Sequence, residues 1–92
     1  MEKHKVAIII PAFNEEFTIY NQVKSVKRYG DVIVVNDGST DHTENEALKA
    51  GAIVVNHNLN MGYDRALNSG FFKANQLGCK IIITFDADGQ HD

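Results

Sequence analysis

Four short apolar runs, at residues 6–10, 32–35, 53–55 and 81–85, alternate with three longer stretches in which apolar side chains return every three or four positions. The runs are continuous in Val and Ile rather than alternating with polar residues. Strands of that kind are covered on both faces, as in a parallel sheet whose crossover connections are helices. The first helix is expected to start at Asn14 as its N-cap, with Glu15 and Glu16 in the first turn, Ile19, Val23 and Val26 facing inward, and Gly30 at its end. The second is expected after Asp41, with Asp41 and Glu44 spaced as a capping box and Ala47, Leu48 and Ala50 as its apolar face, closing before Gly51. The third runs from about Gly62 to Leu77, with Ala66, Leu67, Gly70, Phe71, Ala74 and Leu77 on one side and Gly78 beyond it. Right-handed crossovers then favour a Rossmann-like, three-layer α/β/α fold with a four-stranded parallel sheet in the order 3-2-1-4. In that order the connections leave strand one in opposite directions. A ligand crevice is therefore expected at the carboxyl ends of strands one and four.

Composition narrows the partners. The chain has 92 residues, 43% of them apolar, which suits one small domain spanning residues 1–92. A net charge of −3 and a pI near 5.7 argue against nucleic acid as partner, and the basic stretch from Lys24 to Arg28 reads as the solvated side of a helix. The single cysteine, Cys79, has no partner for an internal disulfide and reads as a small core residue, which fits a reducing, cytoplasmic setting. No apolar run approaches the roughly 20 residues that span a bilayer, so no membrane segment is expected in this chain. His4, His42, His57 and His91 lack metal-ligand spacing; the first three are expected in solvent, and for His91 an approach to the crevice is the lesser reading.

The chemistry concentrates where the topology reserves a site. Asp86 and Asp88 follow the fourth apolar run one residue apart, and two carboxylates so close repel each other unless one is protonated or a cation lies between them. Hard divalent ions such as Mg²⁺ or Mn²⁺ favour oxygen donors and keep positions open for phosphate oxygens. The turn after strand one has no glycine-rich phosphate cradle; it carries Pro11 and then two glutamates, which repel a bare diphosphate. A diphosphate is thus expected to be held through a metal ion, with Asn14, Glu15 and Asp37 available to a base or ribose. Asn36-Asp37-Gly38-Ser39 also suits an ordinary turn, and Asp41 an ordinary N-cap.

The segments 8–16, 35–41, 60–62 and 85–92 together resemble the N-terminal half of family 2 nucleotide-sugar glycosyltransferases of the GT-A fold, and the last of them most resembles the dolichol- or polyprenyl-phosphate sugar synthases. The resemblance covers the whole chain and implies an inverting transfer from a UDP- or GDP-sugar. It places donor binding on Pro11, Ala12, Asn14 and Glu15, base contact on Asp37, a donor contact on Gly62, and the metal and diphosphate on Asp86 and Asp88, with Gln90 as a further metal ligand. Asn36 stands where many relatives have a second aspartate, and Asp64 and Arg65 where many have small residues. The acceptor-binding half and the catalytic base are expected beyond Asp92, so no catalytic residue is named and the chain alone is expected to be inactive. Two other classes share features with this sequence. One is a haloacid-dehalogenase-type phosphotransferase, whose nucleophile motif is also Asp-x-Asp-Gly after a strand. The other is a non-catalytic nucleotide-binding or assembly module. An uncovered edge on strand four, finally, predicts a homo-oligomer.

Overall fold

The structure is a computed structural model, and it describes residues 5–85. In chain order the elements are β1 (Val6–Ala12), α1 (Ile19–Val26) with a short 3-10 turn (Lys27–Tyr29), β2 (Asp31–Asp37), α2 (Thr43–Lys49), β3 (Ile53–His57), α3 (Tyr63–Gln76) and β4 (Ile81–Thr84). The four strands form one parallel sheet in the order β3-β2-β1-β4, as the apolar runs and crossover handedness predict.

Side chains alternate across the sheet and sort into two cores. Ile8, Ile10, Ala12, Val32 and Val34 pack with Ile19, Val23, Ala47 and Ala50 under α1 and α2. Ala7, Ile9, Ile33 and Val35 pack on the opposite face with Ala66, Ala74 and Cys79, under and just beyond α3. Both faces of β1 and β2 are covered, which is why their sequences are continuously apolar. Gly70 sets the spacing of the second layer: a Cβ there would stand 2.5 Å from Cγ2 of Ile9, so only glycine lets α3 lie this close to β1.

Several local expectations are overturned. The first helix begins at Ile19, not at Asn14, because Asn14 takes a left-handed conformation (φ 52°) and Glu15 to Thr18 form a turn in which the Thr18 and Ile19 N–H groups donate to the Glu15 carbonyl. The capping box of the second helix does not form. Asp41 instead accepts from the Thr43 N–H and hydroxyl, and Glu44 turns to Asn56 on β3. Leu48, assigned to the apolar face of that helix, is 53% exposed, and buried Thr43 takes a place on the inner side beside Ala47. Strand four, by contrast, is the uncovered edge that the order 3-2-1-4 implies: Ile81, Ile82 and Ile83 are all exposed there.

Candidate functional site

The crevice begins with a strand that cannot continue its ladder. The N–H of Phe85 donates to the carbonyl of Ile9 at 2.8 Å, the last β1–β4 bond of the described residues. In a parallel ladder the next donor from β1 would be residue 11, and that residue is proline, which has no N–H. Pairing of β1 with β2 runs on to Ala12 opposite Asn36, while pairing with β4 stops at Ile9 opposite Thr84. Pro11 therefore has no N–H with which to extend the β1–β4 pairing at the reversal point of the sheet, where the ligand site was expected.

The loop that leaves β1 is fastened to the loop that leaves β2. The Asn14 N–H donates to Ser39 Oγ (2.9 Å), and Asn14 Oδ1 accepts from the Thr40 N–H (2.9 Å). Glu15 N–H donates to Thr43 Oγ1 (2.8 Å) and Glu16 N–H to Asp41 Oδ2 (3.2 Å), while Glu16 Oε1 accepts from the His42 N–H (3.2 Å). Ser39, Thr40 and Asp41 thus act as ties between two loops, and one of them, Asp41, also accepts from Thr43, the first residue of α2. Burial tends to raise the Asp41 pKa, but the Thr43 hydroxyl and N–H and the Glu16 N–H outweigh it and hold the carboxyl below its ordinary range. The Glu15 carboxylate accepts from the Thr18 hydroxyl at one oxygen (3.0 Å).

Asp37 ends β2 on the α3 side and is 5% exposed. Its Oδ1 accepts from the Met61 N–H (2.9 Å) and faces His57 Nδ1 at 2.7 Å; its Oδ2 accepts from the Gly62 N–H (2.9 Å). Burial pushes the Asp37 pKa up, but the Met61 N–H, the His57 ring and the Gly62 N–H together bring it below the usual carboxylate range. The carboxylate thereby fixes the entry to α3. Gly62 there has φ 99°, and Gly38 (φ 79°) passes so close to the same segment that a Cβ would lie 2.4 Å from the Asn60 nitrogen. On the opposite face, Asn36 is also buried; its Nδ2 donates to Asn56 Oδ1 (2.9 Å), and Asn56 Nδ2 donates to Glu44 Oε2 (2.9 Å).

The structure thus brings Pro11, Ala12, Asn14, Glu15, Asp37 and Gly62 to one end of the sheet. Asp86, Asp88, Gln90 and His91 lie outside the described residues, as does His4. Among the described residues no group of three or more His, Cys, Asp or Glu side chains is arranged to hold a metal ion, and no helix is long and apolar enough to cross a membrane. His57, expected in solvent, is instead largely enclosed, with its side chain 15% exposed between Asp37 and Ser69. A signal for it exists in the sequence. The apolar runs of β2 and β3 each end in a polar pair, Asn36-Asp37 and Asn56-His57, and these pairs meet in register.

Residues 7–92 match the family described as Glycosyl transferase family 2. The chain is 46% identical over 93 residues to an uncharacterised protein of Methanocaldococcus jannaschii, covering 99% of this chain and 38% of that protein. It is 37% identical to the UDP-N-acetylglucosamine–dolichyl-phosphate N-acetylglucosaminyltransferase of Methanococcus voltae (94% of this chain, 42% of that protein). It is 32% identical to the undecaprenyl-phosphate 4-deoxy-4-formamido-L-arabinose transferase of Proteus mirabilis (96% and 30%). Among solved structures, glucosyl-3-phosphoglycerate synthase from Mycobacterium tuberculosis, in complex with Mn²⁺, UDP-glucose and phosphoglyceric acid, superimposes with a TM-score of 0.74 at 28% identity, over 91% of this chain and 33% of that one. The chain spans about two fifths or less of the length of these relatives. The match decides against the dehalogenase-type reading of Asp-x-Asp-Gly, because it runs through all four motifs rather than the last alone. On that match, and on a parallel sheet in the expected order with Pro11, Asn14, Asp37 and Gly62 at its carboxyl end, the chain belongs to glycosyl transferase family 2.

Proposed function

We propose that this chain is the donor-binding region of an inverting glycosyltransferase that takes a UDP- or GDP-sugar with Mg²⁺ or Mn²⁺ and serves a polyprenyl phosphate acceptor. The observation that carries the reading is the loop cluster at the carboxyl end of the sheet. Three loops converge there, they are tied together by hydrogen bonds, and they offer carboxylates and amides rather than a glycine-rich phosphate cradle. Rigid placement of polar groups around a bound donor is what orients an anomeric carbon for displacement. In this reading the backbone of Pro11 and Ala12 lines the floor, Glu15 and the amide of Asn14 meet the ribose or base, and Asp37 and Gly62 border the base side. The acceptor class is supported by the dolichyl- and undecaprenyl-phosphate transferases among the relatives, and the donor class by the UDP-glucose complex of the solved neighbour.

Two carboxylates and an amide form an all-oxygen donor set that suits Mg²⁺ or Mn²⁺, so Asp86, Asp88 and Gln90 are assigned the cation. When bound, the ion neutralises charge developing on the departing nucleoside diphosphate. Transfer is a property assigned to the whole protein, and donor binding to this region. Calorimetry with UDP and GDP, each with Mn²⁺ and with EDTA, tests the proposal: metal-dependent binding supports it, and equal binding in EDTA removes the metal from it.

A further inference from the structure

His57 is the least expected member of the site. Asp37, an ionised carboxylate, offers only acceptors, so the His57 nitrogen that faces it at 2.7 Å, Nδ1, carries a proton. Its Nε2 lies 2.7 Å from Ser69 Oγ in the middle of α3. The ring is therefore held at both nitrogens, by a strand on one side and a helix on the other. Asp, His and Ser joined in this order also occur in hydrolytic triads, but here the backbone N–H groups around Ser69 are spent on the i−4 carbonyls of α3 and leave no donors for an oxyanion. The chain of bonds leads instead toward the loop. From Ser69 it passes through His57 to Asp37, and from Asp37 to the N–H groups of Met61 and Gly62.

We infer that His57, anchored by Ser69, is a positioning residue for the donor site: it fixes the rotamer of Asp37, and through Asp37 it holds residues 61–62 at the mouth of the crevice. His57 touches no part of the donor in this account. The functional half of the inference rests on the donor-binding reading above, whereas the structural half stands on the bonds themselves.

The test uses His57→Asn, His57→Leu and Ser69→Ala in the full chain. An asparagine amide takes the place of Nδ1–H and can still donate to Asp37; a leucine of similar bulk cannot. Amide hydrogen exchange followed by NMR reads the positioning. In His57→Leu, exchange at Met61 and Gly62 is expected to quicken by roughly tenfold or more, the loss of a hydrogen bond to a charged group, while amides of β1 and β2 stay protected. In His57→Asn, protection at both amides is largely restored. Titration with UDP and GDP in Mn²⁺ reads the function, and His57→Leu is expected to weaken binding by a similar factor, with His57→Asn near the parent protein. Unchanged exchange at Met61 and Gly62 in His57→Leu overturns the inference. Where that variant does not fold, Ser69→Ala decides, since alanine suits a helix interior: faster exchange confined to residues 61–62 supports the inference and unaltered exchange refutes it. If the parent chain binds neither nucleotide, the donor reading falls with the functional half, and the exchange data still judge the positioning.

Discussion

Asp37→Asn removes one charge and changes almost no volume, which makes it a sharp probe of how the site is held. In the native structure one oxygen of Asp37 serves Met61 and His57 and the other serves Gly62, all within 2.7–2.9 Å. Asparagine keeps a single oxygen. Pointed at Met61 and His57, it sets its own NH₂ against the Gly62 N–H, two donors facing each other in a site that is 5% exposed. Losing one charge-assisted bond costs about 1.5–3 kcal/mol, and the bonds that remain fall toward neutral strength, so the expected total is about 2–4 kcal/mol. A chain of this size has roughly 5–14 kcal/mol in all, so the loss is visible as a lower urea midpoint, on the order of 2 M. The acid limb supplies a second reading. Burial opposes the Asp37 charge, but the N–H donors and the His57 ring bring its folded pKa below the unfolded value of about 3.9. The unfolded chain then binds more protons in that window, so the stability contributed by Asp37 is present above about pH 4 and is lost as pH falls through the folded value. Asp37→Asn should flatten that part of the curve. Urea unfolding followed by circular dichroism at neutral pH and at successively lower pH checks both points. A variant within about 0.5 kcal/mol of the parent at pH 7, with an unchanged acid limb, would refute the claim that Asp37 anchors residues 61–62.

Other outcomes follow from the same geometry. Gly38→Ala combines a positive φ with a Cβ 2.4 Å from the Asn60 nitrogen, whereas Gly62→Ala at φ 99° meets nothing within 4 Å, so thermal unfolding should show the first losing about 1–2 kcal/mol more than the second. Asp88→Asn is expected to abolish the metal dependence of nucleotide binding in calorimetry while leaving the unfolding midpoint unchanged. We also expect self-association through β4: its Ile81, Ile82 and Ile83 are 44%, 37% and 47% exposed at the sheet edge, and light scattering that shows only monomer at high micromolar concentration would refute this.

The sheet was legible because β1 and β2 are apolar at every interior position and are separated by helix-length stretches, which leaves few right-handed topologies. Loop chemistry was less legible, since one residue type serves several ends. Asn14 has the composition of an N-cap but spends its side chain on Thr40, and Asp41 and Glu44 have capping-box spacing yet serve a neighbouring loop and a neighbouring strand. A propensity describes what a side chain offers locally; tertiary partners 12 or more residues away decided these cases. His57 was misjudged because a histidine after a three-residue apolar run looks like the start of a loop. It belongs to the strand, and only its register opposite Asp37 shows that. The edge position of β4 was legible too, because the order 3-2-1-4 leaves strand four a neighbour on one side only, and its Ile-rich run is exposed there.

The central claim is that a metal-bound nucleoside diphosphate sits at the carboxyl end of the sheet, and paramagnetic broadening by Mn²⁺ tests it most directly. Amide spectra of the chain are recorded with UDP or GDP as substoichiometric Mn²⁺ is added, with Mg²⁺ as the diamagnetic reference. The account predicts broadening centred on residues 12–15, 37–39 and 61–62, lost on Asp88→Asn. Broadening centred on the amino ends of the strands, around Lys5, Asp31 and Ile53, or an identical pattern in Asp88→Asn, would contradict it.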